Sequence, residues 1–384
     1  MTTPPTSGDE PINIRWDDLE ADSVEQRVRE LREAREVPLV RAVGTPTADA
    51  ATDLGSLLRG SVANLGIAGL LGALVTWILM EFGLRPDAAS NWYGDSVTTG
   101  NVLATLTFVA GLGLILVAWD GIQARSWRKT QSLVVKALPV LALGGLVGGF
   151  ITDKVYQSMI EDISSDATRE ASQAFDAAEA QRIFLDYMES HMHLPRGIAF
   201  ALVGITVGAA LGAASKSSKR AVNAIIGGLA GGFIGGYLFD YVGSAGGSGW
   251  MARLVATLIT GVLIGVAMGL VETARREHWL EIVTGGMAGK QFILYHQDTV
   301  VGAGADCHVT LIKDPQIAPR QVSLRSTGAG LALNNLQPGQ PVTVNGQPVH
   351  QHTLADGDLV QLGATVLRYR QRGDNAPVSS QIHG

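Results

Sequence analysis

Between Ser61 and Val271 the chain alternates between long unbroken apolar runs and short polar breaks. Six runs stand out: Ser61 to Glu81, Gly100 to Trp119, Leu133 to Thr152, Gly197 to Ala214, Ala221 to Phe239 and Trp250 to Val271. Each is close to the 20 or so residues that a helix needs to cross about 30 Å of hydrocarbon, so the pattern predicts six membrane spans. Beyond Arg276 the period changes to short alternating stretches divided by Gly, Pro, Asn and Asp, which predicts strands and turns. The expected fold class is therefore an α-helical polytopic membrane domain followed by an all-β sandwich. The predicted boundaries are 1–60 for a polar tail with a charged helix and linker, 61–272 for the membrane domain, 277–372 for the sandwich and 373–384 for a disordered tail.

The spans are rich in glycine at a spacing of four. In the fifth, Gly227, Gly231 and Gly235 fall on one helix face, and Gly228, Gly232 and Gly236 on an adjacent one. Gly144 and Gly148 mark the third span, Gly204, Gly208 and Gly212 the fourth, and Gly261, Gly265 and Gly269 the sixth. A glycine-rich run can instead cradle phosphate, but these flanks are apolar and no P-loop lysine follows. Small residues at this spacing let helix backbones approach closely, so the glycines are assigned to packing. An internal repeat supports that assignment: Gly144 to Ile151 recurs as Gly227 to Ile234 with one change, and Lys136 and Lys219 precede the two copies at the same offset. Spans three-four and five-six are read as tandem hairpins, with spans one-two a diverged third. Glycine faces on two sides of span five predict a homo-oligomer.

Charge orients the bundle. Arg125, Arg128 and Lys129 follow span two, Lys216, Lys219 and Arg220 follow span four, and Arg275 and Arg276 follow span six, which predicts that both termini are cytoplasmic. The long segment from Asp153 to Pro195 is acidic, Ala/Glu/Gln-rich and expected to be outer and helical. At the N-terminus, Asp17 to Glu36 reads as a charged helix with a stripe at Val24, Val28 and Leu31, and Ala42 to Ser56 as a linker. The polar acidic start predicts no cleavable signal. No ionisable residue lies at mid-span, which weighs against a transport pathway, although a channel or transporter is the alternative reading.

Composition narrows the chemistry. A net charge of −6 with no basic patch excludes nucleic acid as the expected partner. Cys307 is the single cysteine, so no internal disulfide forms. His191 and His193 are spaced i, i+2, do not share a helix face, and belong to no larger cluster, so no metal is expected. With no nucleophile and base, no carboxylate dyad and no nucleotide motif, neither a cofactor nor an enzymatic activity is expected.

The last third carries Gly286-Met287-Ala288-Gly289-Lys290-Gln291-Phe292, Val301-Gly302, Ala305 to Leu311, Val344-Asn345-Gly346, and a closing Leu354 to Gly363. By these motifs residues from about 277 to 372 resemble the forkhead-associated (FHA) family of phosphothreonine-recognition modules. The resemblance implies a β-sandwich that reads protein partners with its loops, here Ala303, Gly304, Ala318, Arg320, Gln321, Gln340 and Asn345. The family's arginine is replaced by Ala303, its serine by Ala318, and its asparagine by Gln340. Alanine offers no replacement for the guanidinium fork that compensates phosphate desolvation, so phosphate-independent binding is expected. The role the resemblance implies is a membrane-anchored scaffold in a bacterial signalling or secretion-type assembly at the inner membrane, with protein partners and the lipid bilayer as its contacts.

Overall fold

The computed structural model describes residues 60–84, 96–245, 249–312, 314–327 and 330–372. The predicted N-terminal helix, the linker to position 56 and the tail 373–384 lie outside the described residues. Among the described residues seven helices precede the strands: α1 Ser61–Ile78, continued as a π-helical segment Leu79–Leu84, α2 Val97–Gln123, α3 Trp127–Ala171, α4 Ala177–His191, α5 His193–Ser215, α6 Ser218–Ala245 and α7 Trp250–Ala274. Side chains cap the entries where the chain leaves a turn. Ser96, Ser126 and Asp176 accept from the backbone N–H groups of Thr99, Lys129 and Glu179. Six helical segments are long and apolar enough to cross a membrane, and α3 runs on for 45 residues, carrying the acidic segment with it.

The six spans close into a ring. α1 packs on α2, α2 on α3, α3 on α5, α5 on α6, α6 on α7, and α7 returns to α1. Their shared core includes Leu112, Leu116, Leu141, Val207, Leu211, Ile264 and Met268, while Leu143, Val147 and Phe150 are exposed on the outer surface. Lipid is as apolar as leucine, so helix association in a bilayer rests on close packing rather than on the hydrophobic effect.

Glycine makes that packing close. A methyl on Gly228 would lie 2.2 Å from the Gly204 carbonyl oxygen, one on Gly232 2.2 Å from that of Phe200, and one on Gly236 2.5 Å from that of Arg196, so this face of α6 meets α5 backbone. On the adjoining face, Gly227, Gly231 and Gly235 meet Met268, Leu263 with Ile264, and Thr260 of α7. The third span repeats the arrangement. Gly144 and Gly148 face Thr206 of α5, whereas Gly145 and Gly149 face Leu106 and Val102 of α2. In both copies the first register faces the following span and the second faces the preceding one. Gly208 and Gly212 meet Ala224 and Ala221, and Gly261, Gly265 and Gly269 meet Gly69, Leu65 and Val62 of α1. Both faces of α6 are thus filled within one chain, which removes the reason the sequence offered for expecting a second copy.

Ionisable side chains sit at the two ends of the ring. Glu81 pairs with Arg253 through two bonds of 3.1 and 2.9 Å at one end, near the Asn101 amide that donates to Asp153 at 2.8 Å. At the other end Arg220, only 12% exposed, binds Asp120 at 2.7 Å and Glu272 at 3.4 Å, joining α6 to α2 and α7. Ser61 donates to Glu272, which adds α1. A buried ion pair loses several kcal/mol when one partner is removed, so this knot holds four helix ends in register.

The β-domain follows that end. Its strands are β1 His278–Thr284, β2 Gln291–Ile293, β3 Asp298–Gly302, β4 Val309–Thr310, β5 Val322–Thr327, β6 Gly330–Asn335, β7 Val342–Val344, β8 Gln347–Pro348, β9 Gln351–Leu354, β10 Leu359–Leu362 and β11 Thr365–Gln371. They form two sheets, ordered β2-β1-β11-β10-β7-β8 and β4-β3-β5-β6-β9. Leu280, Ile282, Val301, Leu324, Leu333, Val344, Leu362 and Tyr369 fill the space between them. The apolar pattern runs on from Leu359 to Arg370, but Gly363 turns at φ +58 and folds β11 back on β10. Asn345 and Gly346, both at positive φ, make the β7–β8 turn.

Several contacts seat this domain on the helices. Arg220 stacks 5.8 Å from the Tyr295 ring, the His296 imidazole Nε2 lies 3.0 Å from the Ser215 carbonyl, and the Lys129 ammonium donates to the Thr310 hydroxyl at 3.2 Å. Arg372 donates to the Ala274 carbonyl, and Lys219 pairs with Glu277 at 2.7 Å. His308, 4.3 Å from the His296 ring, accepts from the Val300 N–H at 3.1 Å and is therefore held neutral at Nδ1. Burial, then His296, Lys129 and Arg320, push its pKa below the usual histidine value.

Two outcomes follow. Gly204→Ala forces a methyl 1.9 Å from the Gly228 carbonyl oxygen, whereas the nearest atom to a methyl on Gly148 is at 3.4 Å. Overpacking of that kind costs roughly 1–3 kcal/mol. In nanodiscs G204A should melt several degrees below wild type and G148A should not; equal melting temperatures would contradict the packing. The depressed His308 pKa means the folded state favours neutral imidazole, so its contribution is complete above about pH 6.5 and is lost as pH falls below that value. Exchange of the Val300 amide, corrected for intrinsic rate, should speed up from pH 7.5 to 5, and His308→Gln should abolish that dependence.

Candidate interaction face

Three loops meet at one end of the sandwich: residues 303–308, 311–321 and 336–341. Backbone hydrogen bonds knit the first two. The Ala303 N–H donates to the Ala318 carbonyl and the Gly304 N–H to the Pro319 carbonyl, each at 2.9 Å. Gly302 permits this approach, since a methyl there would lie 2.4 Å from the Pro319 oxygen. The Cys307 thiol, with its pKa raised by burial, stays protonated and donates to the same Pro319 oxygen. The Leu336 N–H donates to the Gln321 carbonyl at 2.8 Å and brings in the third loop, which the Asn335 amide fastens by donating to the Gln340 carbonyl at 3.0 Å.

The residues named from sequence divide into two groups. Ala303 and Arg320 are exposed, Gly304 and Gln340 half-buried, and these make the accessible surface. Ala318 is buried, with its N–H donating to the Gln321 Oε1 at 3.1 Å. Gln321 is 1% exposed and belongs to the loop's support. The Asn345 amide donates to Asp358 at 2.8 Å, and its oxygen accepts from the Leu359 N–H at 3.0 Å, so this exposed side chain also fixes the turn. A structural residue that sequence reading missed is Asp314: it accepts from Gln316, Ala364 and Thr365 and ties the second loop to the β10–β11 hairpin. An Asp-Pro pair opening a loop is its only sequence trace.

Electrostatically the face is weak. Arg320 is its cation among the described residues, 59% exposed and 4.0 Å from Asp306. An exposed pair of that kind contributes about 0–1 kcal/mol, and the carboxylate competes with any incoming anion. Ala303 supplies a methyl where a bidentate phosphate contact would need a fork of N–H donors. The arrangement suits a polar, nearly neutral peptide or domain surface.

The glycines, in contrast, never converge on a cavity with these loops; they lie on the helix contacts described above. His191 stacks on Tyr187 at 4.0 Å, and His193 on Tyr241 at 4.2 Å, so the two imidazoles engage different aromatic rings.

Comparison with known proteins places the β-domain. Residues 281–373 match the family model described as the inner membrane component of T3SS, cytoplasmic domain. No curated protein matches the chain. Among solved structures, one described as a structural and functional analysis of phosphothreonine-dependent FHA domain interactions is 28% identical, covering 25% of this chain and 97% of its own, at a TM-score of 0.23. The FHA domain of FhaA, complexed with the intracellular domain of Rv3910, is 29% identical over 24% of this chain and 99% of its own, at a TM-score of 0.23. The FHA domain of CT664 from Chlamydia trachomatis is 21% identical over 25% and 98%, at a TM-score of 0.23. The family match falls on the strands of the sandwich and stops short of the six helices.

Proposed function

We propose that this chain is a multi-pass inner-membrane scaffold that holds an FHA-like interaction domain at the cytoplasmic face within a secretion-type or signalling assembly. The observation that carries the reading is the match of residues 281–373 to the cytoplasmic domain of a secretion-system inner-membrane component, directly after six apolar spans. Both termini are cytoplasmic in this reading, since the helix ends nearest the β-domain carry the basic residues of the short loops. The domain binds protein without requiring phosphate, because the loop face presents Ala303 and a carboxylate-paired Arg320. It acts by contact and not by catalysis.

The channel alternative finds less support. Thr76 and Thr206 donate back to carbonyls of their own helices, at Gly72 and Leu202, and Thr260 of α7 donates across to Gly235 of α6. Hydroxyls engaged in this way are committed to backbone acceptors rather than to a polar path.

The full chain in nanodiscs should bind phosphothreonine peptides no more than about twofold better than their unphosphorylated twins, given the missing charge-assisted bonds. Low-micromolar binding that disappears on dephosphorylation would refute the phosphate-independent reading. In cells, crosslinked partners should be lost when residues 277–372 are removed and retained when Gly204 is changed to Ala at permissive temperature. Partners that persist without the domain would refute the scaffold.

A further inference from the structure

Where the β-domain sits on the helix ends it leaves a partly open cavity of about 830 Å³. Helices contribute Trp119, Asp120, Lys129, Lys136, Arg220 and Glu272 to its wall, and the domain contributes Lys290, Tyr295, His296 and the 305–310 loop. The charges of this wall do not balance. Asp120 and Glu272 are both engaged by Arg220, and Asp306 lies against Arg320. Arg128, Lys129, Lys136, Lys216, Arg276 and Lys290 also line it, and among the described residues none of the six has a carboxylate within ion-pair distance.

Neutral groups hold several of these cations in place. Lys129 donates to the Thr310 hydroxyl and the Cys307 carbonyl, Lys290 covers the Phe292 ring at 5.1 Å, and Arg276 covers Trp279 at 3.9 Å and donates to Gln291. Such contacts orient a cation and leave its charge uncompensated. Burial pushes the Lys290 and Arg276 pKa values down and outweighs the opposing pull of Asp120 on Lys290 and of Glu281 on Arg276. The volume is that of a small-molecule site and is too small for a folded partner.

We propose that this cavity is an anion site that takes a phosphate group, carried either by an anionic lipid headgroup at the membrane surface or by a free phosphate. Lys129 of α3 and Lys290 of the β-domain stand on opposite sides of the junction, so one phosphate between them bridges the two domains and strengthens their seating. Lys136 lies one to two turns deeper in α3 and extends the site toward the membrane. This site shares residues 305–308 with the first loop of the interaction face but not Ala303, Arg320 or Gln340.

The test uses the full chain in two kinds of nanodisc, phosphatidylcholine alone and phosphatidylcholine with phosphatidylglycerol, each with and without inorganic phosphate at constant ionic strength. Binding to the folded state alone should raise the melting temperature by about 2–4 °C at tenfold excess over Kd. A rise with phosphate in both discs assigns the site to free phosphate. A rise with phosphatidylglycerol that phosphate does not extend assigns it to the lipid headgroup. The variants K129Q/K290Q and K136Q should lose the response, and Lys154→Gln, outside the cavity, should keep it. Lys136 makes no hydrogen bond or ion pair among the described residues, so K136Q reports even if the double variant fails to fold. No rise in wild type from either source, or an undiminished rise in K136Q, would overturn the proposal.

Discussion

Backbone-to-backbone contact through glycine is the constraint on which the rest of this structure depends. Apolar side chains gain little by leaving lipid for one another, so six apolar helices associate only where their surfaces approach closely. Gly204 and Gly228 achieve this from both sides: a methyl on either would collide with the other's carbonyl. Because α3 and α6 each present one glycine register forward and one backward, each helix has two neighbours specified by its own sequence. The ring closes when Gly261, Gly265 and Gly269 of α7 receive α1.

A closed ring gives the β-domain a defined floor. Arg220 draws Asp120 and Glu272 together, and its other face is taken by Tyr295, so the same side chain organises the helix ends and receives the domain. The interaction loops lie partly beside that floor, since the 305–310 loop reaches Lys129. The domain is therefore held in one orientation, with Ala303, Arg320 and Gln340 as its accessible surface. A tethered domain on a flexible linker would sample many orientations; this one presents a single face, as an assembly platform must.

Much of the helical architecture was legible in the sequence because its code is local. Span length and glycine spacing are properties of short windows, and the repeat of Gly144 to Ile151 at Gly227 to Ile234 marks equivalent helices. Which helix each face meets was not legible, since two glycine registers fit a second copy as well as two internal neighbours. In the β-domain the apolar pattern runs without interruption through Gly363, which hid the β10–β11 hairpin. Gln321 occupies a loop position and yet turns inward to the Ala318 N–H, and the exposed Asn345 is committed to Asp358 and the Leu359 N–H; no spacing encodes either choice. The cavity was invisible for the same reason: its cations are spread from position 128 to 290 and meet only when the chain folds.

The central claim is that the membrane ring fixes the orientation of the interaction domain. In a Cys307→Ser background, spin labels at Gln131 of α3 and Gln347 of β8, both exposed, would report it by pulsed electron-electron distance measurement in nanodiscs. A single narrow distance distribution is the result this structure predicts. A broad distribution spanning many separations would show a freely tethered domain and contradict the account.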